Sequence, residues 1–459
     1  MTLASLVLPL SVLQKDAIDQ YVESEMARQH IPGLALLIVK DGKTFKEQAY
    51  GVSNDEKKTP TQVTDRFDIG SIGKTYTAAL IMQLVEQTKI KLNQKVKDIL
   101  PDFPDKWKDI TVHQLISHQS GLPDYALVPG VGLMDTYDQQ TWKDTMYKLD
   151  LDFPSGRMYQ YSNTNFVILG LILEKIIGKP YREIATEQVF KRLGLTDTGF
   201  KEAGKPLPER SATGYFFIEN KLQDAGTGGV SPTPSDGGEF STVDDLRKWT
   251  EEFEAGKVVK KSTVRFMQTA SLVTSGRKTG YGAGWMTNSI EGSPQITHGG
   301  NSVGFSGTIS TFPKQRIEIY MLCNLYPVGG DGFAAGIARI MDPSLIRKPQ
   351  VSTTDPNPKE TEELMAGLID LGKGDIKSPR FHEDMQLRLA TGRGRMVLPT
   401  FANCVNTKKM EFISSHPEKP DTVLRYRVYD DKTTWIVDFQ VTEDGKIYSI
   451  ARTADLDKK

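Results

Sequence analysis

The sequence predicts an α/β protein in which one antiparallel sheet is assembled from both ends of a region whose middle is mostly helical. Strand patterns occur at residues 34–39 and 44–50, and they return at residues 305–312 and 316–322. Between them, over about residues 75–235, helical patterns, for example at residues 109–118, 165–177 and 181–193, alternate with loops rich in Pro and Gly. Strands from two chain ends around a helical insertion indicate one layered domain with helices flanking the sheet.

The first predicted elements are a helix and a hairpin. Ile18, Tyr21 and Val22 form part of an apolar stripe, which predicts an amphipathic helix over residues 12–30. The two strands that follow are joined by Asp41-Gly42, a dipeptide typical of tight hairpin turns. The hairpin therefore predicts two adjacent strands of the main sheet.

A small α+β domain is predicted at the end of the chain. A short helix carries three leucines on one stripe, and it is followed by strands with strict alternation of apolar and polar residues. The apolar positions are Leu364, Leu368, Leu371, Leu424, Tyr426, Val428, Trp435, Val437, Phe439 and Val441. Because this region has no cluster of catalytic residues, we interpret it as a structural or binding accessory.

Changes in composition divide the chain into four segments. Residues 1–14 are mostly apolar, and they are either a trimmed or atypical signal peptide or the lead into the first helix. Residues 15–348 contain the sheet and its insertion. Residues 349–358 have the Pro-rich polar composition of a linker, and residues 359–459 form the C-terminal α+β domain.

Bulk composition excludes several classes of function. The chain has 459 residues, 38% of them apolar and 25% charged, and a formal net charge of -1. That length predicts two or three domains. Because acidic and basic residues are balanced and interspersed, there is no reason to expect a nucleic-acid partner. No apolar run reaches the length of a membrane-spanning helix.

Cysteines and histidines give little support for a disulfide framework or a metal site. Cys323 and Cys404 lie in separate apolar segments and are predicted to be two buried thiols. The histidines are scattered, and His113 and His118 are five residues apart, which places them on different faces of a helix. No His-Glu-x-x-His motif occurs.

Ser71 and Lys74 are the most informative pair in the chain. They lie three residues apart at the start of a predicted helix, where the ammonium can reach the hydroxyl. The helix start also presents unpaired backbone N–H groups and a positive dipole end, which would stabilise an oxyanion formed by attack of Ser71. An apolar stripe behind the pair predicts the helix over residues 75–87, with Ala78, Ile81, Met82 and Val85 on one face.

Two other interpretations of such residues are weaker. A second Ser-x-x-Lys occurs at Ser275 and Lys278, but no helix pattern follows it, so we interpret it as chance. Gly73-Lys74-Thr75 also ends like a phosphate-binding loop. That motif needs a glycine at position 68, where this chain has Asp68, whose charge would repel phosphate.

Two further segments carry chemistry. Tyr161 and Asn163 form the only Tyr-x-Asn of the chain and precede an apolar helix pattern. A tyrosine near a lysine ammonium can act as a base, because the positive charge favours the phenolate. His298 is followed by Gly299 and Gly300 between two predicted strands, and paired glycines let the backbone approach a ligand closely.

Taken in order, Ser-x-x-Lys, Tyr-Ser-Asn and His-Gly-Gly resemble the serine β-lactamase and penicillin-binding-protein superfamily. The branch is the class C-like one, which includes D-amino-acid-specific peptidases and esterases. The resemblance spans roughly residues 15–345 and implies a β-lactamase/transpeptidase-like fold. Further matching segments lie at residues 115–123, 153–156, 193–198, 237–242 and 281–285.

The resemblance implies a role for each motif residue. Ser71 would attack a carbonyl carbon and form an acyl-enzyme, and Lys74 would take or relay its proton. Tyr161 would be the general base and would later activate water. Asn163 would hold the substrate amide or the lysine. The superfamily needs no metal or organic cofactor, so we expect none.

The third motif departs from the β-lactamase pattern. His298 stands where β-lactamases carry lysine, and Gly299 stands where a hydroxyl usually helps to bind a substrate carboxylate. A histidine is only partly charged at neutral pH, so we expect a weak grip on that carboxylate. Gly300 and Asn301 complete the substrate-binding strand, and the backbone N–H groups of Ser71 and Asn301 would form the oxyanion hole.

These observations favour a serine hydrolase that cleaves an amide or ester bond in a small-molecule or peptide substrate. A non-turnover penicillin-binding or sensor module of the same fold is the alternative, and a β-lactamase is a weaker one. The resemblance implies an extracytoplasmic location, periplasmic or secreted. The sequence leaves open the oligomeric state and the choice between peptide, ester and amide.

Overall fold

The computed structural model describes residues 16–202, 207–226, 232–346, 349–431 and 433–454. The apolar segment expected at residues 1–14 lies outside the described residues. Numbered in chain order, the strands are β1 Gly33–Lys40, β2 Lys43–Asn54, β3 Thr59–Pro60, β4 Phe67–Asp68, β5 Gly199–Phe200, β6 Tyr215–Ile218, β7 Lys221–Asp224, β8 Glu239–Ser241, β9 Met286–Ile290, β10 Ser293–Ser302, β11 Phe305–Phe312, β12 Ile317–Cys323, β13 Leu325–Tyr326, β14 Lys409–Glu418, β15 Asp421–Tyr429, β16 Thr434–Val441 and β17 Ile447–Ala454.

The helices lie mostly between β4 and β9 and in the C-terminal domain. In chain order they are α1 Ala17–Gln29, α2 Lys74–Glu86, α3 Val112–Ile116, α4 Gln139–Met146, α5 Asn163–Ile177, α6 Tyr181–Ala185, α7 Val243–Glu254, α8 Lys261–Met267, α9 Gly330–Met341, α10 Pro358–Gly372, α11 Glu383–Ala390 and α12 Gly392–Val397. None of the helices in the described ranges has the length and apolar character needed to cross a bilayer.

The main sheet joins the two ends of the large domain, as predicted. Within the described ranges it has seven antiparallel strands in the order β3-β2-β1-β12-β11-β10-β9. Strand β1 is apolar and buried from Gly33 to Val39 because both of its faces are covered there. Leu34, Leu36 and Ile38 pack on the side of α1 and α9, whereas Ala35, Leu37 and Val39 face the helical insertion.

The helical insertion supplies the larger core, and its centre is formed by α2 and α5, which are buried over most of their length. Two predicted helices are shorter or less regular than expected. The pattern at residues 109–118 gives a single turn and a half, α3. The pattern at residues 181–193 begins as α6 and passes into a π-helical turn at Thr186–Lys191.

The C-terminal domain is the predicted α+β unit with its own core. Strands β14 to β17 form an antiparallel meander, and Leu364, Leu368 and Leu371 of α10 pack against it. The expected linker is partly attached to this domain, since the N–H of Thr353 donates to the carbonyl of Phe412 at 2.8 Å. Both cysteines are free and buried, as expected.

Ion pairs fix the C-terminal domain against the large domain. The guanidinium of Arg277 donates to both carboxylate oxygens of Asp421 at 2.7 and 2.8 Å, and this pair is almost entirely buried. Arg157 pairs with Asp384 at 2.5 Å. Arg277 lies inside the second Ser-x-x-Lys segment, so that segment serves in docking between domains.

Candidate active site

The nucleophile segment is a tight turn that leads into a buried helix. Residues Gly70–Gly73 form a 3-10 turn, and α2 continues from Lys74. Side chains three residues apart eclipse one another in a 3-10 turn, which brings Ser71 and Lys74 together. The ammonium of Lys74 donates to the Ser71 hydroxyl oxygen at 2.9 Å, as the spacing predicted.

Lys74 is fully buried and uses all of its donors. Besides Ser71, its ammonium donates to Oδ1 of Asn163 at 2.8 Å and to the backbone carbonyl of Asp236. An ammonium has three N–H donors and no acceptor. In this state, therefore, Lys74 orients the Ser71 oxygen but cannot itself receive the hydroxyl proton.

Tyr161 lies beside this ammonium and faces the open cleft. The Lys74 nitrogen is 5.2 Å from the centre of the Tyr161 ring. The Tyr161 ring also packs on the imidazole of His118, with the two ring centres 4.3 Å apart. Within the described residues the Tyr161 hydroxyl makes no hydrogen bond, so it is open to a substrate or to Ser71. Catalytic hydrogen bonds often tighten only when substrate is bound.

Asn163 binds Lys74 and also lines the cleft. It is the first residue of α5, and its backbone N–H donates to Oδ1 of Asp124 at 3.0 Å. Its side-chain oxygen accepts the Lys74 bond, so its amide nitrogen is turned toward Asp124 Oδ2, 3.5 Å away. Asp124 thus fixes which way the Asn163 amide faces.

Glycines let strand β10 lie directly against the nucleophile turn. A Cβ on Gly300 would be 1.8 Å from the carbonyl oxygen of Ile69, and one on Gly70 would be 2.8 Å from the backbone nitrogen of Asn301. Gly70 also has a positive φ of 48°, a conformation that glycine adopts without strain. Of the two paired glycines, Gly300 thus lets the backbone of β10 approach the nucleophile turn, whereas Gly299 lines the cleft.

His298 is buried behind the site instead of facing the cleft. Its Nδ1 lies 2.8 Å from the carbonyl oxygen of Gly299, and its Nε2 lies 3.0 Å from the hydroxyl of Tyr281. Because a carbonyl can only accept, Nδ1 carries the proton and Nε2 accepts from Tyr281. Burial and then the charge of Lys74 lower the pKa of His298 to about 3. His298 is therefore neutral at neutral pH, not partly charged as the sequence suggested.

Two buried acids lie on the opposite side of the lysine. Burial raises the pKa of Asp236, although the nearby charge of Lys74 opposes that shift, and the hydroxyl of Tyr125 donates to its carboxyl at 2.8 Å. Burial raises the pKa of Glu239 to about 8. One Glu239 oxygen, Oε2, is buried without a hydrogen-bond partner among the described residues, next to Gly73.

Ser71 lies between two cavities. The smaller, of about 120 Å³, is lined by charged side chains that include Asp68, Lys201 and Glu239. The larger, of about 980 Å³, is an open cleft whose wall includes Leu127, Leu133, Met134, Tyr161 and Arg393. A substrate that reaches Ser71 through the larger cleft would meet mostly apolar surface.

A carboxylate stands beside Gly299 on the wall of this cleft. Oδ1 of Asp331, in the first turn of α9, accepts hydrogen bonds from the hydroxyls of Thr297 at 2.8 Å and Thr308 at 2.7 Å. A Cβ on Gly299 would be 3.5 Å from the same oxygen. This wall therefore presents a negative charge beside Gly299.

His118 has a structural role. Its Nδ1 accepts from the backbone N–H of Ser162 at 3.2 Å and from the Asn165 side-chain amide at 3.0 Å. Ser120 donates to Asn165 instead of to a histidine. Burial lowers the pKa of His118 well below its usual value. A Ser-His-Asp triad of Ser120, His118 and Asp124 is thus absent from the described residues.

The family is settled by comparison over most of the chain. Residues 18–339 match the family described as Beta-lactamase. The chain belongs to the Beta-lactamase family. Protein flp of Staphylococcus aureus (strain N315) is 30% identical over 322 residues, which are 67% of this chain and 62% of flp. The chain thus spans less than two thirds of the length of that relative.

Two other proteins of known structure share the fold of this Beta-lactamase family member. The octameric penicillin-binding protein homologue from Pyrococcus abyssi matches with a TM-score of 0.64 at 20% identity, covering 95% of both chains. A D-stereospecific amidohydrolase from Streptomyces sp. matches with a TM-score of 0.58 at 25% identity, covering 67% of this chain and 93% of its own. At 95% coverage the first match includes most of the C-terminal domain, whereas the second covers a smaller share of the chain.

Sequence reasoning missed the groups that surround the motif residues. Asp124 and Asp331 are isolated polar residues that form no motif with their neighbours, whereas Tyr281 begins the segment at residues 281–285. Arg393 lies in the C-terminal domain, which had no recognised chemistry. The one available signal was the segment at residues 281–285, which matched the superfamily but was given no role.

Proposed function

We propose that the protein is a serine hydrolase that cleaves an amide or ester bond through an acyl-enzyme on Ser71, as a β-lactamase-related peptidase or esterase. The observation that carries this proposal is the buried Lys74 ammonium, which orients the Ser71 oxygen at 2.9 Å beside an unbonded Tyr161 hydroxyl. Such an arrangement of nucleophile, cation and base is typical of activated serines.

In the proposed reaction Tyr161 moves the proton and Lys74 supplies charge. Tyr161, acting as the general base, takes the Ser71 proton as the Ser71 oxygen attacks the carbonyl carbon, and the backbone N–H groups of Ser71 and Asn301 hold the oxyanion. Tyr161 then donates that proton to the leaving amine or alcohol. Tyr161 then takes a proton from water, the resulting hydroxide attacks the acyl-enzyme ester, and Tyr161 returns the proton to the Ser71 oxygen as the acid product leaves.

The wall beside Gly299 favours substrates other than β-lactams. β-Lactams carry a carboxylate, and Asp331 would repel it at this wall, while the neutral His298 offers no compensating charge. The apolar cleft accepts an uncharged side chain next to the scissile bond. The amidohydrolase among the similar structures supports an amide as the scissile group.

Hydrolysis of a chromogenic ester and of D-amino-acid p-nitroanilides would test this proposal. Wild-type protein should turn over at least one of these substrates, and Ser71→Ala should lose about 10⁶-fold in kcat, as expected for the nucleophile of such a unit. The second Ser-x-x-Lys offers a matched control, since Ser275→Ala should leave kcat unchanged. Equal loss in both variants, or full activity of Ser71→Ala, would contradict the mechanism.

The alternative of a non-turnover penicillin-binding or sensor module predicts a different time course. It would give a stoichiometric burst of product without steady turnover, because its acyl-enzyme does not hydrolyse. Rapid nitrocefin hydrolysis would instead favour the β-lactamase interpretation. We further propose an extracytoplasmic location, periplasmic or secreted, on the resemblance alone.

A further inference from the structure

Helix α12 of the C-terminal domain reaches the active-site cleft. The guanidinium carbon of Arg393 is 5.0 Å from the centre of the Tyr161 ring, and Met396 lines the same cleft. Arg393 lies outside residues 18–339, which match the family. The wall over the proposed base is thus partly built by a segment beyond the family region.

Arg393 is connected to the nucleophile through a short series of polar contacts. Its Nη2 donates to Oδ2 of Asp124, whose side chain is only 1% exposed. Asp124 accepts the backbone N–H of Asn163, and Asn163 accepts the Lys74 ammonium, which holds Ser71. Burying a carboxylate without a partner is costly, and Arg393 is the cation that pairs with Asp124.

Docking of the two domains does not depend on Arg393. The Arg277–Asp421 pair is almost wholly buried, and Arg157 pairs with Asp384. The Thr391 hydroxyl also donates to Gln160 at 2.8 Å. These contacts hold α11 and α12 in place. Truncation of the Arg393 side chain should therefore change the active site without undocking the domain.

We propose that Arg393 is a positioning residue of the active site, supplied by the C-terminal domain. It pairs with the buried Asp124 carboxylate and fixes its position, and Asp124 in turn orients the Asn163 amide so that its oxygen faces Lys74. It also contacts the Tyr161 ring at the cleft wall and keeps that ring in one orientation by a cation–π contact. This proposal rests on the proposed function, because the chemistry it supports is acylation of Ser71.

The test measures the rate constant of acylation by a fluorophosphonate in full-length variants. Arg393→Ala should lower it by about 100-fold, the loss typical of a misplaced catalytic group. Arg393→Lys retains the charge, and because only Nη2 of Arg393 contacts Asp124, one ammonium donor should recover most of the loss. Arg395→Ala is the matched control, since Arg395 is exposed on the same helix, and it should react like wild type.

A double variant separates positioning from a general structural role. Arg393→Ala leaves the Asp124 carboxylate buried and unpaired, whereas Asp124→Asn removes that charge and keeps the acceptor for Asn163. The pair Arg393→Ala/Asp124→Asn should therefore acylate faster than Arg393→Ala alone. Additive losses, or a wild-type rate in folded Arg393→Ala, would overturn the proposal. Failure of the wild type itself to react would instead overturn the proposed function.

Discussion

Glu239 gives a sharp prediction because the fold keeps a carboxyl group neutral beside the nucleophile turn. The residue is 1% exposed, the Tyr181 hydroxyl lies 3.3 Å from its Oε1, and its Oε2 is buried against Gly73. Burial raises its pKa from 4.5 to about 8, and the nearby Asp236 adds to the shift. Replacement by glutamine keeps the shape and removes the titration.

The magnitude follows from the difference in pKa between the folded and unfolded chain. Below pH 4.5 the Glu239 carboxyl is protonated in both the folded and the unfolded chain, so this residue adds no pH dependence to the free energy of unfolding. Between pH 4.5 and about 8 only the unfolded state has lost the proton, so stability falls as pH rises. At about 1.4 kcal/mol per pH unit, the total loss is at most about 5 kcal/mol, and it is complete above pH 8.

Urea unfolding of wild type and Glu239→Gln at pH 4 and pH 9 would measure this effect. The free energy of unfolding of the two proteins should differ little at pH 4, and the variant should be more stable by several kcal/mol at pH 9. Glu209→Gln, which changes an exposed carboxylate, is the control and should follow the wild type at both pH values. A variant that is no more stable than wild type at pH 9 would refute the reasoning.

Two further predictions concern stability. Tyr281→Phe leaves the buried Nε2 of His298 without its donor, so the free energy of unfolding should fall by about 1–3 kcal/mol in a urea titration; a loss below about 0.5 kcal/mol would contradict the assigned tautomer. Arg277→Ala leaves Asp421 buried without its cation and should cost about 3–5 kcal/mol. Lys278→Ala, at the exposed neighbouring position, should change stability by no more than about 0.5 kcal/mol, and equal losses in the two variants would contradict a docking role.

The fold was predictable where the sequence pattern and burial agree. Strand β1 is a continuous apolar run because both of its faces are covered, and the meander of the C-terminal domain alternates because only one face is. The helix at residues 109–118 was overestimated, because its capping box at Thr111 starts it late and it ends at Ile116. Local patterns locate such elements but do not fix their ends.

The site was predictable only to the extent that its residues form short motifs. Ser71, Lys74 and Asn163 are brought together as expected, with Tyr161 beside them. The charge state of His298 was not predictable, because it depends on burial and on a lysine that is far away in the sequence. The same holds for Arg393, which reaches the site only because two domains dock.

The central claim is that Ser71 is an activated nucleophile, and intact-mass spectrometry after incubation with a fluorophosphonate tests it most directly. The account predicts a single covalent adduct on the wild type and on Ser275→Ala, and none on Ser71→Ala. An adduct that persists in Ser71→Ala, or a wild type that stays unlabelled, would contradict the account and leave Ser71 as a residue of the turn before α2.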